Sequence, residues 1–211
     1  MNKYIFPFNS CEIPQNNGVA QPYSSFINII LCLIIIFFLI NSNNIYSKLF
    51  LISLLIFNIF HTLSHSIHIN NNSQFMFTHA SAIISTFFLF FMLEYITKKK
   101  INFKELFLLL LLYVFDIYLI NKNASHIYNI IIFMLILFSI FIFYYDFISN
   151  NLKKNIKYII FFSILTLFFQ IFEILYCKKI LEQFNNFPLH IITETFGLIS
   201  ITFLCYSFYK I

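Results

Sequence analysis

Long apolar runs separated by short polar clusters make up almost the whole chain. The runs cover 24–41, 48–69, 75–97, 103–121, 125–148, 157–177 and 188–209. Each is near the roughly 20 residues a helix needs to cross the hydrocarbon core. A backbone in lipid has to satisfy its own N–H and C=O groups, so these runs predict helices. The breaks NSNNIYS, INNNSQ, TKKKIN, NKNAS, SNNLKKNIK and CKKILEQFNNFP carry Asn, Lys or Pro, and none could form a domain. The expected fold class is all-α, an integral membrane bundle of seven transmembrane helices over 24–211. A polar N-terminal segment, 1–23, precedes it.

Composition strengthens this picture. The chain is 60% hydrophobic and only 10% charged, against about 25% charged residues in soluble domains. Too few polar groups exist to cover a water-exposed globule, so the lipid bilayer is the expected surrounding. The basic residues are all Lys and sit in short loops beside apolar runs, which points to membrane topology and to no nucleic-acid partner. The first 23 residues lead into an apolar run without an A-x-A-like site, so no removable signal peptide is expected. Cys11, Cys32, Cys177 and Cys205 are too scattered for a disulfide scaffold, and no CxxC motif is present.

Seven spans place the termini on opposite sides. The C-terminal side then receives Lys48, Lys98, Lys99, Lys100, Lys104, Lys153, Lys154, Lys157 and Lys210; the N-terminal side receives Lys3, Lys122, Lys178 and Lys179. The positive-inside rule makes the richer side cytoplasmic. The N-terminus is expected outside or in a lumen, and the C-terminus in the cytoplasm.

This layout puts His61, His65, His68, His79, His126 and His190 all at the non-cytoplasmic ends of helices or in a loop on that side. His61, His65 and His68 follow i, i+4, i+7 spacing, which shares one helix face. His79 opens the third run. His190 opens the seventh, with Glu194 one turn deeper on the same face. Asp116 and Glu173 fall in the same half of the bundle. Ionisable groups inside a membrane are costly and usually face a bundle interior or water. Converging imidazoles with a carboxylate suit zinc, whose catalytic sites use three protein ligands and a water. Single residues carry blander readings too. His126 reads as an interfacial residue. Asp116 and Glu173 could equally pair with Tyr or Asn groups inside the bundle, and Ser64 could bond its own helix.

At these residues the sequence resembles the alkaline ceramidase family, in the superfamily of seven-helix membrane hydrolases that includes the adiponectin-type receptors. Cys11-Glu12 followed by Gln21-Pro22-Tyr23-Ser24-Ser25-Phe26-Ile27-Asn28 is similar to the family's N-terminal segment. Ser64 and His68 match its helix 2 Ser-xxx-His spacing, with His79 where an Asp would stand; Phe60-His61 matches its Phe-His pair in an alternative register. Leu189-His190-Ile191-Ile192-Thr193 resembles its helix 7 segment, with Asn186 in place of a first His. The resemblance implies hydrolysis of an amide in a lipid such as ceramide, with Ser64 steadying the oxyanion and a carboxylate acting as base. It implies Zn2+ held by histidines; with the family's helix 3 Asp and first helix 7 His replaced here, side and spacing leave two of His61, His65 and His68 together with His79 and His190 to hold it, with Glu194 as the carboxylate. It also implies a Ca2+ site at the N-terminus, of which only Glu12 is matched. Some members join the Cys of the Cys-Glu pair to a Cys before helix 7, which Cys11 and Cys177 could do.

The function expected is therefore a zinc-dependent intramembrane hydrolase acting on a membrane lipid amide or ester. Two alternatives stand beside it: a non-catalytic receptor or sensor on the same scaffold, and a membrane redox protein with haem held by paired histidines. HExxH and G-x-S-x-G are both absent. Lipid desaturases share the HTLSH pattern, but their histidines face the cytoplasm, opposite to the side assigned here.

Overall fold

A computed structural model describes residues 11–68, 72–121, 126–184 and 187–210. Residues 1–10 with Lys3, the loop with Lys122, and Asn186 lie outside the described residues, as does the side chain of His126.

The described residues form seven α-helices and no strand: α1 Pro22–Ile40, α2 Ile45–Ser66, α3 Asn72–Thr97, α4 Phe103–Asn121, α5 His126–Tyr144, α6 Asn150–Gln183 and α7 His190–Phe208. A short 3-10 turn, Tyr145–Phe147, follows α5. Six of them are long and apolar enough to cross a membrane. The seventh expected span is α4, which has 19 residues but includes Lys104, Glu105 and Asp116 among them. Its start is well specified: Asn102 accepts from Glu105 N–H at 2.9 Å while the Glu105 carboxylate accepts from Asn102 N–H at 3.1 Å, a reciprocal capping box.

The expected break before the last run is corrected. α6 continues for 34 residues through Lys178, Lys179 and Glu182, because these are good helix formers once apolar burial is not required. Its start is set by Ser149, which accepts from Leu152 N–H.

Helices pack in the order α1–α2–α3–α5–α6–α7 and back to α1, closing a ring. α4 stands outside it against α5 and reaches α3 through side chains at Tyr113 and Asp116. Large apolar side chains such as Phe26, Leu33, Phe37, Val114 and Ile142 point outward, as lipid-facing residues should.

The interior is divided along the bundle axis. One half holds the apolar core: Ile35, Phe50, Leu51, Leu89, Leu93, Ile140, Tyr144, Ile156 and Phe208 are fully buried. The other half buries polar groups: Ser24, Asn28, Asn58, His65, His79, Asp116, Asn129, Glu173, His190 and Glu194. Such groups are expensive in a membrane interior unless mutually satisfied. The polar half is where α1 and α7 begin and α2 ends.

Candidate metal centre

The segment before α1 builds the frame of this end. Pro22 at the first helical position has no N–H to satisfy. The next two N–H groups, of Tyr23 and Ser24, donate to the two Glu12 oxygens at 2.9 and 3.0 Å, and the Ser24 hydroxyl donates to Glu12 as well. A carboxylate here also complements the positive end of the helix dipole. The Ala20 and Gln21 N–H groups donate to the Ser66 and His65 carbonyls at 3.1 and 2.9 Å, satisfying groups that the end of α2 leaves open. A disulfide joins Cys11 to Cys177 of α6. Residues 11–21 thus form a strap tied to α1, α2 and α6.

Beneath the strap, His61, His65 and Glu194 place one donor atom each within 4.8 Å of one another and could hold a metal ion. His65 Nε2 lies 3.1 Å from His61 Nε2, and Glu194 Oε1 lies 3.4 Å from His61 Nε2 and 3.3 Å from His65 Nε2. His190 touches this group through Glu194: its Nε2 is 2.9 Å from the same Oε1. That approach lies off the hydrogen-bond direction, so His190 Nε2 is buried without a hydrogen bond.

The far side of most of these groups is held. His65 Nδ1 meets Gln21 Oε1 at 2.6 Å, and Gln21 in turn donates to the Glu12 carbonyl at 2.8 Å. His190 Nδ1 donates to Glu173 Oε2 at 2.8 Å, and Glu173 also accepts from the Thr193 hydroxyl and the Cys11 N–H. Glu194 Oε2 accepts from Asn28 Nδ2 at 2.9 Å. Outer partners of this kind fix ring tautomers and aim the inner atoms at a common point.

Other expected site residues lie elsewhere. α2 ends at Ser66, so His68 leaves the face shared by His61 and His65 and meets the Gly18 carbonyl at 2.9 Å. The Ser64 hydroxyl donates to the His61 carbonyl one turn back at 2.6 Å. Glu12 serves as the remote cap of α1. His79 is held by Asp116 of α4 at 2.6 Å, and Asn129 of α5 donates to the other Asp116 oxygen at 2.8 Å. Gln21 and Asn28 were missed as site residues; neutral amides give no sign in the sequence that they will meet a histidine or a carboxylate from another helix.

A cavity of about 210 Å³ opens from this cluster into the bundle. His61, His79, His190 and Glu194 line it at one end; Phe50, Leu89 and Leu204 line it at the other. Phe50 lies eleven residues before His61 on α2, about 16 Å along the axis. The chain matches no family model, and neither the curated proteins nor the solved structures give a match.

Proposed function

We propose that the protein is a metal-dependent intramembrane hydrolase of the ceramidase-like, seven-helix type, which uses water to cut an amide or ester bond of a membrane lipid. The observation that carries this reading is the convergence of His61, His65 and Glu194 at the polar end of a largely apolar cavity.

Zinc fits the donor set. A tetrahedral zinc with bonds of about 2.0–2.1 Å holds its donor atoms roughly 3.3–3.4 Å apart. The three separations here are 3.1, 3.3 and 3.4 Å. His61, His65 and Glu194 would hold the ion, two imidazoles and a carboxylate being a known catalytic set. When bound, zinc polarises a carbonyl and lowers the pKa of a water to about 7. Gln21 and Asn28 keep His65 and Glu194 aimed, and Glu173 does the same for His190. The apolar length of the cavity suits a lipid chain whose polar link stops at the cluster.

In this reading α4 is the seventh span, its Asp116 hydrogen-bonded to His79 at 2.6 Å and its Glu105 paired with Lys99 at 2.8 Å. The N-terminus is non-cytoplasmic. The lysine distribution supports that orientation, and so does the Cys11–Cys177 disulfide, which belongs to an oxidising compartment.

Elemental analysis of detergent-purified protein tests the reading. One zinc per chain is expected, lost in His65→Ala, with lipid turnover that stops on chelation. Absence of any stoichiometric transition metal ends it. A visible Soret band would point instead to haem.

A further inference from the structure

The cavity has a second ionisable centre. His79 of α3 lines it and is 7% exposed. Its Nε2 meets Asp116 Oδ2 of α4 at 2.6 Å. Asp116 is fully buried, and Asn129 of α5 fixes it by donating to Oδ1 at 2.8 Å and to its backbone carbonyl at 3.1 Å. Three helices thus supply an Asn–Asp–His chain whose imidazole end borders the cavity.

We infer that His79, held by Asp116, is the general acid of the cavity and gives a proton to the group leaving from the lipid acyl carbon. The inference rests on the hydrolase reading above and adds the second half of its reaction. Glu194, a ligand in that reading, is not free to carry the proton: one of its oxygens faces His61, His65 and His190 and the other is held by Asn28. An amine does not leave as an anion; its nitrogen has to be protonated as the bond breaks. A histidine backed by a buried carboxylate is suited to that task.

The step balances as follows. The acyl carbon gains the oxygen of water. The carbon–nitrogen bond breaks, its electron pair stays on nitrogen, and His79 gives that nitrogen a proton. One proton of the consumed water restores His79 and the other completes the ammonium. The products are a carboxylate and an ammonium. Asp116 and Asn129 are positioning residues.

The test compares two long-chain substrates in detergent micelles: an N-acyl alkylamine and a p-nitrophenyl ester, whose phenolate leaves without help. His79→Gln is expected to lower amide turnover by about 10²–10³-fold, to change ester turnover by less than about tenfold, and to keep the zinc. Asp116→Asn, which preserves shape, is expected to show the same selective loss at smaller size and carries the comparison if the first variant does not fold. Nitrogen NMR of histidine-labelled wild-type protein gives a reading independent of turnover: a downfield Nε2 proton from His79, absent in Asp116→Asn. Equal losses on both substrates, loss of zinc from His79→Gln, or no such proton overturns the inference while leaving the hydrolase reading in place. A zinc-loaded wild type that cuts neither substrate overturns both.

Discussion

Glu173 of α6 and His190 of α7 are joined by a 2.8 Å hydrogen bond from Nδ1 to Oε2. A carboxylate can only accept, so the proton sits on Nδ1. His190 then presents Nε2 to Glu194 Oε1 at 2.9 Å without a hydrogen bond between them. That nitrogen sits beside the carboxylate with its own bonding capacity unused. Replacing Glu173 by Gln removes the charge that orders this arrangement. Metal affinity should fall, but by less than about tenfold, below the usual 10–100-fold for a ligand's own outer partner, because His190 reaches the ion's ligands only through Glu194. Competition with a zinc chelator measures it; unchanged affinity would disconnect Glu173 and His190 from the centre.

The disulfide should support the same centre from outside. Cys11 donates its N–H to Glu173, and its sulfur is anchored on α6. Cys11→Ser, or a reductant, frees one end of the strap. Stability should drop by about 2–4 kcal/mol, the typical worth of a native disulfide, and zinc should dissociate faster. Thermal melting and metal-release kinetics read the two effects. A melt and release rate that ignore reductant would mean the strap holds without its covalent tie.

Glu12 should matter to α1 and not to calcium. Both of its oxygens are taken by N–H groups of the first turn. Glu12→Ala is expected to cost roughly 1–2 kcal/mol, the range for losing a strong cap, seen as a lower melting temperature. Added Ca2+ should leave the wild-type melt where it is. A calcium-dependent rise that Glu12→Ala abolishes would restore the ion site that the sequence resemblance implies.

Orientation is open to a labelling experiment. Lys100 and Glu182 are exposed and lie on opposite ends of the bundle in the proposed topology. A membrane-impermeant thiol reagent applied to intact cells should label Glu182→Cys and spare Lys100→Cys. The reverse pattern would turn the protein over and place the histidines in the cytoplasm.

The helical character and most boundaries could be read from apolar run length alone, since lipid leaves the backbone few options. The pairing of His61 with His65 was readable for the same kind of reason: one turn of one helix needs no knowledge of tertiary structure. His68 escaped that logic because α2 stops at Ser66, two residues before it, where a periodicity argument has no helix to act on. His79 and Asp116 were each visible as ionisable groups, but their partnership depends on where an outer helix packs. Gln21 and Asn28 were invisible for a related reason. Their partners, His65 and Glu194, lie 44 and 166 positions away, and amides are common at helix ends without such a duty. The overrun of α6 came from treating lysines as breaks, when they mark only where lipid stops.

That long helix has a mechanical consequence. Its 34 residues rise roughly 50 Å, against a hydrocarbon thickness of about 30 Å. Lys153, Lys154 and Lys157 occupy one end, and Lys178, Lys179 and Glu182 the other. Sinking or lifting by a single turn would drag fixed charges into oil from one side or the other. α6 therefore acts as a plumb line: across a membrane it would hold the whole bundle at one height, and with it the depth of the buried imidazoles.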